Sequence, residues 1–505
     1  MSEKPTNTNS LSRRSFLKIG GAAAAAASLG SIAAVSYVAG ADYDSYTGWE
    51  DVFEGGAQFF DRTPFEVAKP TYEVVGETRR ISIVDQSFGR HGLLRPVRTA
   101  WVEETGWKEA DGLEAAVEGI RERLPEVSPD LAEFYSQEEN AKKLELDLLR
   151  QLIYEPQQRR DSAAYDQRFE LAMAWGSAWG AVRPASPDTP PEEWDFRGMR
   201  AEPLVPKSEE KASQLIKKAA HTFGATLCNI GPLNPDWVYA NNVRGGEPGP
   251  FDIPEWWQTA IVVTTPHEWD QMYANPTYGT SSDAYARSSI AGARLAAFIR
   301  SLGYAARLHS PNNGYDVVVP PICIDSGMAQ QGRFVYSIAP ELGANHRPAV
   351  VTTNMPLKHD KPIDFGVHEF CKACKICAEQ CPSGAISFSD EPDTVVRGYK
   401  RWALDLEACY NFWGQVLGNG GCRVCLAVCP YSRKDNWLHS LSRTVSTSDP
   451  TDLADKGLIW MQENFFEFPD VKDYYPPTYG GTNASYRNGP EWMRVEEYFD
   501  VDVTW

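Results

Sequence analysis

The sequence predicts an α/β or α+β protein: a core of alternating helices and strands, followed by a compact cysteine-rich unit. Three observations carry that expectation. Between residues 205 and 355, segments of helical periodicity alternate with short β-branched runs. Eight of the ten cysteines lie in the 59 residues from Cys371 to Cys429, in two runs that each end in Cys-Pro. The first 41 residues have the form of an export leader.

The leader comes first in the chain. Ser12-Arg13-Arg14-Ser15-Phe16-Leu17-Lys18 precedes an alanine-rich run from Ile19 to Val38, and Ala39-Gly40-Ala41 has the small-x-small form of a cleavage site. A membrane span would need a run of this length, but this one is rich in Ala, Gly and Ser and only weakly apolar. Paired arginines mark the twin-arginine route, which carries folded proteins. No later stretch is an uninterrupted apolar span, so any membrane contact is expected to be peripheral or through a partner.

Residues 42–200 form a mixed N-terminal region. Trp107–Leu124 and Leu131–Tyr154 have helical periodicity with charged outer faces, and Pro184–Pro191 is a break. Ser208–Phe223 opens as a capped helix, with Ser208 as the cap and Lys211 at the third helical position. Gly224–Ile230 and Thr259–Thr265 read as strands. Ser282–Leu302 is a long helix ended by Gly303. Ala305–Ser310 reads as a strand and Asn312-Asn313-Gly314 as a turn. Val317–Val319 is apolar, but the prolines after it limit any strand, and Asp325–Ala329 reads as a loop or a helix start. The tail from Gly457 to Trp505 shows little regularity.

The cysteine spacing carries chemistry. A four-iron cube needs four thiolates directed at one volume, and C-x2-C-x2-C wraps the backbone around one face of it. In two-cluster units the proline-linked cysteine of each run ligates the other cluster. That assigns Cys371, Cys374, Cys377 and Cys429 to one [4Fe–4S] cluster and Cys409, Cys422, Cys425 and Cys381 to the other. Twelve residues separate Cys409 from Cys422, an insertion that keeps the ligand count at eight. Zinc also uses C-x2-C pairs, but rarely in two proline-ended runs, and three cysteines two residues apart cannot all form local disulfides without strain. Cys228 and Cys323 lie outside the runs and read as buried small hydrophobes.

Charge narrows the partners. The chain has 49 Lys and Arg against 68 Asp and Glu. Without the leader's four basic residues and one acidic residue, 45 face 67, a net charge of about −22. That balance disfavours nucleic acid and simple adsorption to anionic lipid. Sixteen Trp, 22 Tyr and 21 Phe are enough to line a large apolar cavity as well as a core.

The chain resembles the catalytic subunits of respiratory reductive dehalogenases. The shared elements are Arg13-Arg14-Ser15-Phe16-Leu17-Lys18, Thr353-Asn354-Met355-Pro356-Leu357, Lys361-Pro362-Ile363-Asp364-Phe365-Gly366 and both cysteine runs. The resemblance covers nearly the whole chain and is weakest from 42 to 200. It implies a base-off corrinoid (a cobamide) in a nitroreductase-like core, with a C-terminal ferredoxin-like unit whose two [4Fe–4S] clusters supply electrons. The absence of a D-x-H-x-x-G motif agrees with a corrinoid not held by a protein histidine. The implied divisions are a signal peptide 1–41, an N-terminal region 42–200 covering the core, a corrinoid- and substrate-binding core 201–365, a ferredoxin-like domain 366–445 and an extension 446–505.

The implied reaction replaces a halogen of a small organohalide with hydrogen, or removes two vicinal halogens. By local context Tyr285 corresponds to the proton donor, Asn313 to an active-site asparagine and Arg347 to the arginine that stabilises the phenolate; Trp413 is expected to wall the corrinoid pocket. His346 and His439 read as satisfied structural histidines. The implied partners are a small halogenated substrate, a small integral-membrane anchor subunit and a respiratory electron donor, with a homodimer open to it. The implied location is the outer face of the cytoplasmic membrane. Two rival readings are an epoxyqueuosine-reductase-like corrinoid enzyme, opposed by the leader and the acidic balance, and a ferredoxin-type electron-transfer subunit, opposed by the roughly 300 residues before the clusters.

Overall fold

The computed structural model describes residues 62–157, 196, 198–244, 247–250, 253–267, 272, 279–309, 316–416, 421–432, 437–448, 453–465, 470–471 and 475. The leader, Asn313 and most of the tail lie outside the described residues.

The N-terminal region contributes a short strand β1 (Glu73–Val74) and helices α1 (Ser87–Thr105), α2 (Leu113–Val127), α3 (Pro129–Ser136) and α4 (Lys143–Leu148), the last continued by a π turn over Leu149–Tyr154. The long helix expected over 131–154 is therefore broken, by a 3-10 turn at Glu138–Asn140. Helix α1, which carries Pro96, was not anticipated from the sequence. Leu93, Leu94, Ile120, Leu124, Leu131 and Leu148 form a common core. Beneath it Asp147 accepts from Arg90 (2.9 Å), from the Tyr135 hydroxyl (2.8 Å) and from Arg150. Buried charges of this kind persist only when paired and hydrogen-bonded.

The core is a four-stranded antiparallel sheet. Helix α5 (Glu209–Thr222) leads into β2 (Leu227–Pro232), and the Ser208 hydroxyl caps it by accepting from the Lys211 N–H at 3.2 Å, as the sequence suggests. Strand β2 begins three residues later than expected, because Gly224 (φ +108°) still belongs to the helix exit. A hairpin of β3 (Asn241–Arg244) and β4 (Glu247–Pro250) precedes β5 (Thr259–Pro266). The long helix α6 (Gly279–Ser301) follows, then β6 (Ala306–His309).

Val317–Val319 forms no regular strand. Val319 opens helix α7 (Val319–Asp325), whose prolines occupy the first turn, where their missing N–H costs nothing. Asp325 therefore ends a helix. The short pair β7 (Gln330–Gln331) and β8 (Ser337–Ile338) leads to β9 (His346–Thr353). The sheet order is β2-β5-β9-β6.

Successive residues of β5 and β9 alternate between two buried faces. Ile261, Val263, Ala349 and Val351 pack beneath α5 and α6, whereas Ala260, Val262 and Val350 pack toward Trp237, Ile322 and Met328. Cys228 and Cys323 are buried in these layers, and burial pushes each thiol up to about 12.

The cysteine-rich unit begins with α8 (Val367–Ala373) and α9 (Ile376–Glu379). The hairpin β10 (Thr394–Val396) and β11 (Tyr399–Arg401) pairs with β1, so the N-terminal arm completes a three-stranded sheet. Then come α10 (Leu406–Gln415), α11 (Val424–Ala427), α12 (Trp437–Ser448) and α13 (Leu453–Phe465). Helix α13 falls across the start of the segment expected to be irregular. The unit shares one apolar core with its neighbour: Phe334, Ile338 and Ala344 pack with Phe365, Phe370, Val424 and Tyr431. Among the described residues no helix is long and apolar enough to cross a membrane.

Candidate active site

Tyr285 and Arg347 arrive from different elements and meet. Ser281 and Tyr285 lie one helical turn apart on α6 and so share a face. Arg347 sits on β9 opposite Thr265 of β5, and the Thr265 hydroxyl donates to the Ala284 carbonyl at 3.1 Å, fastening α6 to the strand beside Tyr285. The Arg347 guanidinium carbon lies 5.3 Å from the Tyr285 ring centroid and 5.0 Å from that of Tyr336. Burial pushes the Tyr336 phenol up to about 12, against the pull of Arg347, and its hydroxyl donates to the His346 carbonyl at 2.8 Å.

A second arginine enters from the cysteine-rich unit. Arg423 stands between Cys422 and Cys425, in left-handed backbone (φ +66°). Its Nε donates to Ser281 Oγ, which also accepts from Arg347 Nη2 at 3.1 Å. Two guanidinium groups thus converge on one buried hydroxyl. The Arg423 guanidinium carbon lies 5.4 Å from the Trp413 ring, and Trp413 packs on Phe88 at 5.1 Å and Tyr410 at 5.9 Å. The residue expected to wall the pocket is therefore linked, through Arg423 and Ser281, to Arg347.

Three histidines frame the strands. His346 has both ring nitrogens engaged, with Thr264 Oγ1 and the Ser337 carbonyl each at 3.1 Å, and burial lowers it to about 3. His267 is fully buried. Its Nδ1 meets Asn345 Oδ1 at 2.9 Å, while among the described residues Nε2 has no hydrogen-bond partner. Burial first, then the charges of Arg347 and Arg423, hold His267 well below the usual histidine range. Asn313 lies outside the described residues; on either side of it His309 Nδ1 meets Asp316 Oδ2 at 2.7 Å, and His309 Nε2 meets Thr352 Oγ1 at 2.8 Å. His439 is half-buried on α12.

The cysteines fall into two electrostatic neighbourhoods. Burial raises Cys377 well above the thiol range, and Cys371, Cys374 and Cys429 raise it further, with Cys425 a lesser contributor. Burial pushes Cys409 up to about 12, with Cys381 adding to it; Cys422 is raised by burial and then by Cys409 and Cys381. Cys425 is raised by burial, then by Cys422, Cys409 and Cys381. The two neighbourhoods adjoin, since Cys429 also raises Cys425 and Cys425 raises Cys377. Among the described residues no three His, Cys, Asp or Glu side chains gather as ligands of a single metal ion; a four-iron cube is itself several ångströms across, so its thiolates need not touch. What fits a cluster is the gathering of buried thiols in each neighbourhood, whose protons iron would displace on binding.

Sequence reasoning missed Ser281, Tyr336, His267 and Arg423. Arg423 had one signal, a basic residue inside the second C-x2-C, and Ser281 another, its one-turn offset from Tyr285. Tyr336 and His267 had none, since a single aromatic or histidine in an apolar segment is ordinary.

Residues 370–432 match the family model of a 4Fe-4S dicluster domain, and residues 10–30 match the twin-arginine translocation signal sequence. The chain is 28% identical over 316 residues to a tetrachloroethene reductive dehalogenase of Desulfitobacterium hafniense strain Y51, covering 53% of this chain and 56% of that protein. It is 30% identical over 281 residues to the Sulfurospirillum multivorans tetrachloroethene reductive dehalogenase, covering 49% and 55%. It is 36% identical over 202 residues to a Dehalococcoides mccartyi trichloroethene reductive dehalogenase, covering 38% and 34%. The matched stretch thus spans about half the length of the first two relatives and a third of the third. A solved catabolic reductive dehalogenase superposes with a TM-score of 0.56 at 22% identity, covering 83% of this chain and 52% of that one. This likeness shows the fold: an α+β core with a C-terminal ferredoxin-like unit.

Proposed function

We propose that this chain, a homologue of reductive dehalogenase catalytic subunits, removes halogen from a small organohalide at a base-off corrinoid fed by two [4Fe–4S] clusters. The observation that carries the reading is the junction at Ser281: the Tyr285 helix, Arg347 and the second cysteine run meet on one hydroxyl. Electron supply and a proton donor thereby share a buried site. The residues fit a large polar cofactor, because among the described residues the buried His267 Nε2 and Trp413 Nε1 have no partner and would be satisfied by its amide groups. Trp413 and His267 would hydrogen-bond its amide side chains, with no histidine ligating the metal.

Reduction of R–X by two electrons and one proton gives R–H and a halide ion. When bound, the corrinoid supplies reduced cobalt able to cleave the carbon–halogen bond, and the clusters supply its electrons. The remaining work belongs to the chain. Tyr285 holds the proton that the product carbon receives. Arg347, over the ring, stabilises the phenolate that remains, and Asn313 orients substrate or phenolate. Cys371, Cys374, Cys377 and Cys429 hold one cluster; Cys381, Cys409, Cys422 and Cys425 hold the other.

The relatives act on tetrachloroethene and trichloroethene, which makes small chlorinated alkenes the first substrates to try. The export signal supports a place on the outer face of the cytoplasmic membrane, held by a small membrane subunit and supplied by a respiratory donor. Anaerobically purified protein is expected to show corrinoid bands, cobalt and iron in a ratio of about one to eight, and halide release from tetrachloroethene with a low-potential donor. Iron without corrinoid, in protein inert toward every organohalide offered, would leave an electron-transfer subunit as the better reading.

A further inference from the structure

Arg333 is fully buried, yet no step proposed above uses it. Its guanidinium is spent entirely on main-chain carbonyls. Nε donates to Cys374 at 3.1 Å, Nη1 to Ser387 at 3.0 Å and Ser389 at 2.5 Å, and Nη2 to Cys371 and, at 3.5 Å, Lys372. The guanidinium carbon lies 5.2 Å from the Trp402 ring, and the Trp402 indole donates to the same Ser389 carbonyl at 3.0 Å.

Nearby carboxylates are engaged elsewhere: Asp390 with Lys375 at 2.6 Å, and Asp393 with the Ser387 hydroxyl at 2.7 Å and the Ala403 N–H at 2.6 Å. Among the described residues none forms an ion pair with Arg333. A buried positive charge, hydrogen-bonded to carbonyls and felt by Asp390 and Asp393 only at a distance, therefore sits against two cysteines of the first run.

We propose that Arg333 is a positioning residue that holds the first cysteine run and raises the reduction potential of the cluster bound there. This rests on the cluster assignment above. Reducing a four-iron cluster adds one negative charge, and a fixed cation in a low-dielectric surrounding favours that state with little screening. The five-donor fork explains the choice of arginine over lysine: one planar group reaches carbonyls from both the 371–374 and 387–389 segments. Burying such a cation is costly, and packing alone would be served by an apolar side chain.

The test uses the full-length protein with its clusters, titrated electrochemically while electron paramagnetic resonance follows each reduced cluster. Arg333→Gln removes the charge and keeps a donor. Its first-run cluster is expected to be about tenfold harder to reduce at a given ambient potential, a fall of ~59 mV for one electron, with the second cluster unmoved. Arg333→Lys keeps the charge and is expected to stay near the wild-type potential.

An unchanged first-run potential in an iron-loaded Arg333→Gln protein overturns the proposal. So does an equal shift of both clusters, or a fall in Arg333→Lys as large as in Arg333→Gln, since either marks repacking in place of charge. If Arg333→Gln loses iron, Arg333→Lys decides: a wild-type potential supports the role and a tenfold loss overturns it. Wild-type protein that binds no iron would fail the cluster assignment itself, before any variant is made.

Discussion

Tyr285 was legible from its local context on a long helix, but its surroundings were not. Arg347 lies 62 residues further along, and nothing in the order of residues announces that its guanidinium stacks over the Tyr285 ring or shares Ser281 with Arg423. Pro348 concealed the strand that delivers Arg347, because a proline argues against a central strand. Among the described residues, β6 pairs with β9 only from Val350 onward, so the described ladder partner of Pro348 is Thr264 of β5. In the proposed reaction Tyr285→Phe removes the proton and little else. Turnover of a substrate that needs protonation is expected to fall by about 10²-fold or more, while loss of two vicinal halogens, which needs no proton, persists. Steady-state rates on one substrate of each kind separate the two; equal activity on the first would remove Tyr285 from its role.

At the level of elements, the cysteine runs were the clearest part of the chain, because ligation demands a spacing that packing does not. Their docking was not legible. Gly343 (φ +59°) lies against the segment after Cys429: a Cβ there would stand 2.1 Å from the Tyr431 carbonyl oxygen and 2.6 Å from the Ser432 nitrogen. The next residue's N–H donates to the Ser432 hydroxyl at 3.0 Å. Glycine is thus required twice, for its backbone conformation and for the contact. Gly343→Ala is expected to cost about 1–3 kcal/mol through overpacking and to loosen the cluster that includes Cys429. Denaturant unfolding and iron content per chain measure the two effects, and a variant matching wild type in both would mean that the joint can shift freely.

Across the whole molecule, several buried histidines are held neutral. Burial lowers His221 and His346 to about 3 and His267 well below its ordinary value. Each must gain a proton on unfolding below the ordinary histidine pKa near 6.5. Their contribution to stability is therefore complete above that pH and is lost as pH falls, by up to about 1.4 kcal/mol per histidine per unit. Asp325 acts in the opposite sense: burial raises it to about 6, so its protonation in the folded state favours folding below that pH. Unfolding midpoints in urea are expected to begin to drop between pH 7 and pH 6 and to fall more steeply below, because Asp325 offsets only part of the loss from three histidines. A flat profile from 7 to 6 would show these histidines taking up protons as readily in the fold as in the unfolded chain. By itself the sequence determined the alternation of helices and strands, the 4Fe-4S dicluster spacing, the capped helix at Ser208 and the export signal. Each follows from local spacing, periodicity or composition. Only the tertiary structure decided the all-antiparallel sheet order, the meeting of Tyr285, Arg347 and Arg423, and the burial of Arg333 against the first run. Those depend on which distant segments exclude water together, and that is a property of packing, which no local pattern encodes.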